Sequence, residues 1–280
     1  GDGPGEFREP AGLVELSGDT LAVFARRIQR LSLFDLDGNW LEDRALEEVD
    51  GLVPTRQFRL TDAHNGSVII NNPNSFRVSA NMEQGEVHNP SYRFSTDGTF
   101  EGTVGEPSTM WVQPTRVLFD GKRIADAAAG RIYVKDAVRY EIRVYDYDGD
   151  LLRIHRLMRP ARPTSQEDVG RYKEFYRQEV ANAALRDRLI AGVERATLAD
   201  SFPAIEHLQV DTSGNVWVRE YEPPWVVESS FGVFAADGPW LGTMTLPPDF
   251  RPLEIGPDYL LGVQTDELDV QHLVLYGLKR

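Results

Sequence analysis

The stretch that decides the fold runs from Gly130 to Gly149, GRIYVKDAVRYEIRVYDYDG. Ile132 and Val134 alternate with Arg131, Tyr133 and Lys135, and Tyr140, Ile142 and Val144 alternate with the polar residues of the second run. Period-two alternation of β-branched and aromatic residues predicts half-buried strands. Asp148-Gly149 supplies a tight turn, because glycine accepts positive φ and aspartate tolerates it. The run LLRIHRL follows as the outgoing strand.

Weaker copies recur along the chain. The closing turn returns as FDLDG ending at Gly38, FSTDG at Gly98 and FAADG at Gly238, each with an aromatic residue four positions before the glycine. The opening turn returns as LSGDTLAVF around Gly18, HNGSVIIN around Gly66, TSGNVWV around Gly214 and IGPDYLLGV around Gly256. About five units of roughly 40 to 50 residues, each with four short strands, are the signature of propeller blades. A β-sandwich also has short strands, but nothing requires it to repeat an aromatic-x-x-Asp-Gly turn in register. The expected fold is therefore all-β, a β-propeller in a single domain over residues 1–280, with units at 11–46, 52–103, 112–157, 204–246 and 250–278.

Between the third and fourth units the period changes. From Thr164 to Ala199, Val169, Tyr172, Phe175 or Tyr176, Val180, Ala184, Leu185, Leu189 and Val193 recur at three and four residues, which predicts a helical insertion over 164–199. Thr164 and Glu167 have capping-box spacing and would start it. Its apolar stripe is expected to pack on the β body.

Composition narrows the function classes. The net charge of −14 would repel a polyanionic backbone, so nucleic acid is not an expected partner. The absence of cysteine removes disulfides and thiolate chemistry. No apolar run has the length of a membrane span. GDGPGEF at Gly1–Phe7 is glycine-rich but lacks the Lys-Ser/Thr and helix start of a phosphate loop, and reads as a connector. The chain opens abruptly there, without Met, so an upstream segment is expected.

GDGPGEF, then Pro10-Ala11-Gly12-Leu13, then a strand-turn-strand ending in FDLDG, resembles NHL-type repeats. RYEIRVYDYDGDLLRI, VDTSGNVWVREY, VFAADGPWLGTMTLP and IGPDYLLGVQTDELDVQHLVLYGL are similar to segments of bacterial six-bladed β-propeller proteins, which are exported proteins and lipoproteins. That resemblance implies one blade more than the five units, placed before Gly1. It also implies an extracytoplasmic location: periplasm, cell surface or secreted, with a lipid anchor carried upstream.

Functional residues are expected where the loops after each second strand converge. Repeat parity sends VFAR, IINN, VKDA, VREY and VQTD to one rim, delivering Arg26, Asn71, Asn72, Asp136, Arg139, Arg219, Glu220, Tyr221 and Asp266 as a binding surface. Mixed charges, amides and an aromatic ring suit a protein, glycan or small polar ligand. The same set reads structurally as a ring of salt bridges plugging a channel, with Asp136 and Arg139 pairing across their loop. No acid–base pair repeats, no G-x-S-x-G elbow is present, and the five histidines share no repeat position. The expected protein is thus a monomeric, non-enzymatic binding or scaffold module without a cofactor. The alternative is a divalent-metal enzyme in the channel: a lactonase-like hydrolase with Asn71, Asp136, Glu220 and Asp266 around an ion such as calcium, or an NHL-type lyase, which would call for several channel histidines.

Overall fold

The computed structural model describes residues 3, 5–7, 9–49, 58–71, 85–112, 117–121, 124–136, 138–226, 230–247 and 249–279. It is an all-β, propeller-type chain with few helices. Among the described residues five sheets are meanders of consecutive strands, and a sixth is a two-stranded parallel pair. The first sheet is β1 (Pro10–Leu16), β2 (Thr20–Ala25), β3 (Arg30–Asp35) and β4 (Trp40–Ala45). The second is β5 (Arg59–His64), β6 (Ser67–Asn71), β7 (Gly85–Ser95) and β8 (Phe100–Val112). After a short β9 (Val117–Leu118) comes the third, β10 (Ile124–Ala128), β11 (Arg131–Lys135), β12 (Glu141–Asp146) and β13 (Leu151–Arg156). Helices α1 (Gln166–Glu179) and α2 (Ala183–Arg195) and the short β14 (Thr197–Leu198) precede the fourth sheet. That sheet is β15 (Ile205–Val210), β16 (Val216–Glu220), β17 (Ser230–Phe234) and β18 (Trp240–Thr245). The fifth, β19 (Phe250–Ile255), β20 (Tyr259–Thr265) and β21 (Gln271–Gly277), has three strands among the described residues, not the four expected of every unit.

The chain packs as two compact units. The first holds Gly1–Val112, Arg123–Lys135 and Ile142–Ile154; the second holds Gln113–Lys122, Asp136–Glu141 and His155–Arg280. In the first, Phe24, Leu31, Leu33, Leu60, Ile70 and Phe94 form one core cluster, and Ile69, Val104, Ala125, Ile132, Val134 and Tyr145 form another. In the second, Trp217, Phe231, Ile255 and Leu260 anchor one cluster, and Leu118, Phe119, Val193 and Phe202 another.

The deciding stretch folds as read, with one correction. Ala128 pairs with Arg131, leaving Ala129 (φ 52°) and Gly130 (φ 73°) as a two-residue loop with both φ positive, the turn whose twist matches antiparallel strands. Strand β11 is not half-buried, however: Ile132, Tyr133 and Val134 are all at most 2% exposed. A middle strand covered on both faces loses its water-facing side, so its alternation in sequence no longer marks inside and outside. The outer strand β18 keeps the alternation, exposing every second residue.

The helical insertion is two helices, with different caps from those expected. Ser165, not Thr164, caps α1: its hydroxyl accepts from the Asp168 amide, and Asp168 accepts from the Ser165 amide. Thr164 instead donates its hydroxyl to the Ala199 carbonyl. The periodic stripe breaks after Val180 because Asn182 restarts the chain, accepting from the Leu185 amide at 3.0 Å. Val169, Tyr172 and Tyr176 pack on the cluster of Phe119 and Phe202, where Tyr172 and Tyr176 stack at 4.9 Å. Within the stretch read as the third unit, β9 pairs in parallel with β14. Among the described residues no helix is long and apolar enough to cross a membrane.

In the first unit, burial raises the Asp126 carboxyl from 3.8 to about 7, against the Ala127 amide that it accepts from at 3.0 Å. A folded pKa above the unfolded one means that the native state holds a proton the unfolded chain has lost. This group therefore lowers stability as pH rises from about 4 to about 7. Asp126→Asn is expected to gain about 1 to 3 kcal/mol at pH 8 and nothing at pH 4. Thermal melts of both proteins at the two pH values check this, and equal gains at both would refute it.

Candidate functional site

A cavity of about 250 Å³ opens within the second unit. Its walls come from the loop between β11 and β12, the segment that leaves β13, the approach to β15 and the end of β16. Four arginines, Arg139, Arg156, Arg159 and Arg162, line it beside one carboxylate, Glu220. Arginine stays protonated at any physiological pH, so these are permanent charges.

Three of the four are held in place. Arg156 meets Glu141, a carboxylate 1% exposed, at 2.6 Å. Arg159 meets Glu220 at 2.5 Å and lies over the rings of Tyr140 (5.2 Å) and Trp240 (5.8 Å). Arg162 meets Glu222 at 3.1 Å, donates to the Tyr221 carbonyl and covers the Phe202 ring at 5.5 Å. An arginine between a carboxylate and an aromatic face is pinned in one rotamer, and its stacked plane is only weakly hydrated. Arg139 is different: its side chain is exposed and has no partner among the described residues. Its backbone is fixed, since the Arg139 amide donates to the Asp136 carboxylate at 2.7 Å and the Arg139 carbonyl accepts from the Glu141 amide.

Burial, and then the nearby Glu220 charge, push the Tyr140 hydroxyl far above its usual pKa. Burial likewise pushes Tyr221 up to about 12. Neither phenol ionises at neutral pH.

The residues expected on one rim divide. In the second unit, Arg139 and Glu220 line the cavity together. Asp136 supports the Arg139 loop by accepting from the Val138 and Arg139 amides, and so does not pair with the Arg139 side chain. Tyr221 stacks on Phe202, a lining residue, at 5.9 Å. Arg219 precedes Glu220 in β16, so strand alternation sends it to the opposite face, where it meets Glu206 at 3.1 Å. Asp266 accepts from the Leu268 and Val270 amides of its own turn and meets His272 at 2.8 Å. The bond to His272 leads the causes that hold its pKa below the usual carboxylate value. In the first unit, Arg26 meets Glu9 at 3.0 Å, and Asn71, 1% exposed, donates to the Ala125 carbonyl at 3.1 Å. Asn72 lies outside the described residues. Among the described residues, no three His, Asp or Glu side chains stand together as metal ligands.

Sequence reading missed Arg156, Arg159 and Arg162. The signal was present in R-L-M-R-P-A-R-P, Arg156–Pro163. Proline favours an extended chain with three residues per turn, and arginines spaced by three then fall on one side.

No family model and no curated protein matches this chain. Among solved structures it is similar to a candidate exported protein of Bacteroides fragilis, with 11% identity over 94% of this chain and 68% of that one, at a TM-score of 0.49. It is also similar to a luciferin-regenerating enzyme (14% identity, 96% and 78% coverage, TM-score 0.45) and to a streptogramin B lyase (12% identity, 100% and 71% coverage, TM-score 0.43).

Proposed function

We propose that this chain is a non-enzymatic, extracytoplasmic binding module whose ligand seat is the arginine-lined cavity of the second unit. The six-bladed, NHL-like type belongs to the same proposal and rests on GDGPGEF and the repeated Asp-Gly turns. The observation that carries the functional reading is Arg139. Three neighbouring guanidiniums are each bonded to a carboxylate, whereas Arg139, which also lines the cavity, has no side-chain partner among the described residues. An unpaired guanidinium beside a half-enclosed, partly apolar space is a docking point for an acceptor group. Among the described residues Glu220 is the one lining carboxylate, and it is bonded to Arg159.

Binding without a resident metal has a direct test. Calcium at millimolar concentration is expected to leave the melting temperature unchanged. A screen of small polar ligands by thermal shift is expected to return hits that vanish in Arg139→Ala. A stoichiometric metal in the purified protein, whose removal lowers the melting temperature by mass action, would instead favour a metal-dependent hydrolase. Hits that survive Arg139→Ala would put the seat elsewhere.

A further inference from the structure

The charges around the cavity do not balance. Four arginines face three carboxylates, Glu141, Glu220 and Glu222, and each carboxylate is already bonded to one arginine. The Asp136 carboxylate accepts from the Val138 and Arg139 amides of its own loop, and no ion pair joins it to the Arg139 side chain among the described residues. Arg139 is a lining cation without a side-chain partner among the described residues, in a chain whose net charge is −14. Beside the paired arginines, part of the lining is apolar. Leu157, Met158, Pro160, Phe202 and Pro203 supply the wall, and Met158 stands 87% exposed. An exposed, flexible thioether is an adaptable surface for an apolar group.

We infer that the cavity takes a monoanionic carboxylate carried on a small apolar or aromatic body, with the carboxylate on Arg139 and the body against Met158 and Phe202. This deepens the reading of the cavity as the ligand seat and rests on it. Three features select that class. A planar guanidinium matches a carboxylate with two parallel hydrogen bonds. A single unmatched charge is balanced by a monoanion, whereas the second charge of a phosphate monoester would be brought toward Glu220. A volume of about 250 Å³, below the roughly 300 Å³ at which drug-sized pockets begin, holds a head group and one ring.

Four probes sharing a phenyl ring separate the terms: phenylacetate, phenyl phosphate, phenylacetamide and phenethylamine. Their dissociation constants would be measured at pH 8 by saturation-transfer NMR on the full chain, as wild type, Arg139→Ala and Arg139→Lys. Phenylacetate is expected to bind best, at least about tenfold tighter than the other three, and to weaken at least about tenfold in Arg139→Ala. Arg139→Lys should recover part of that loss, because it keeps the charge but not the fork. Arg139 is exposed and its side chain has no partner among the described residues, so both variants are expected to melt like the wild type. If phenyl phosphate, phenylacetamide or phenethylamine matches phenylacetate and depends on Arg139, the ligand class is wrong while the seat stands. If no probe binds in an Arg139-dependent way, the seat fails and this inference with it.

Discussion

Gly12→Ala is expected to destabilise the first unit by about 3 kcal/mol or more. Gly12 has φ +105°, a conformation that strains any residue with a Cβ, and the added carbon would lie 2.1 Å from the Leu60 carbonyl oxygen. That oxygen belongs to the backbone of β5, so no side-chain rotation relieves the clash. The residue sits in the register shift of β1 between Pro10 and Leu13, where the strand meets the next sheet. Either β1 or β5 must move, and Ala11, Leu60 and Leu16 lose packing in the same core cluster. Chemical denaturation of wild type and variant measures the loss. A midpoint within experimental error of wild type would show that the bulge yields without cost. The motif P-A-G-L, noticed in the sequence only as a family likeness, thus has a steric cause: this glycine lets the backbones of two strands approach closely.

Asp211→Ala should cost a comparable amount, about 3 kcal/mol, in the second unit. Asp211 is 3% exposed and accepts four hydrogen bonds: from the amides of Ser213 (2.9 Å) and Asn215 (2.8 Å), the Asn215 side chain (2.8 Å) and the Trp217 indole (3.1 Å). Asn215 in turn accepts from the Ala236 amide at 3.1 Å, so the β15–β16 turn is tied to the β17–β18 turn. Alanine would leave a buried indole N–H and a buried amide without their acceptor, and the desolvation of each is then uncompensated. At about 2 to 4 °C per kcal/mol for a body of this size, the melting temperature should fall by roughly 6 to 12 °C. Asp211→Asn, which keeps the shape but turns an N–H₂ toward donors, should fall between the two. Indole fluorescence during the melt follows the chain's five tryptophans, Trp217 among them, and an unchanged transition in the alanine variant would contradict the account.

The same device explains several turns at once. Asp35, Asp146, Asp211 and Asp266 each stand four residues before a carbonyl that accepts their amide, and each turns its carboxylate into the loop that it begins. FDLDG and DYDG drew notice for their glycine and for the aspartate beside it. The first aspartate of each is the one that closes the turn. Asp266 was expected among ligand-facing residues because its place after a second strand matched Asp136 and Glu220, and TDELD was not recognised as a member of the turn family.

What the sequence determined by itself was local. Alternating β-branched and aromatic residues, punctuated by Asn-Gly, Ala-Gly and Asp-x-x-Gly, set the strands, the turns and their repetition, because backbone geometry over four to seven residues depends on those residues alone. The change to a three-to-four period located the helices for the same reason, although the choice between Thr164 and Ser165 as cap depended on which hydroxyl the Ala199 carbonyl claimed. The tertiary structure alone decided which polar residues share a space. Arg219 and Glu220 are neighbours in sequence and are separated by one step of strand pleat. Arg139, Arg162 and Glu220 lie on three segments far apart in the chain and line one cavity. Which carboxylate neutralises which arginine, and so which arginine remains free, follows from distances between those segments. No periodicity in the chain encodes such distances, because they are set by how the folded segments pack.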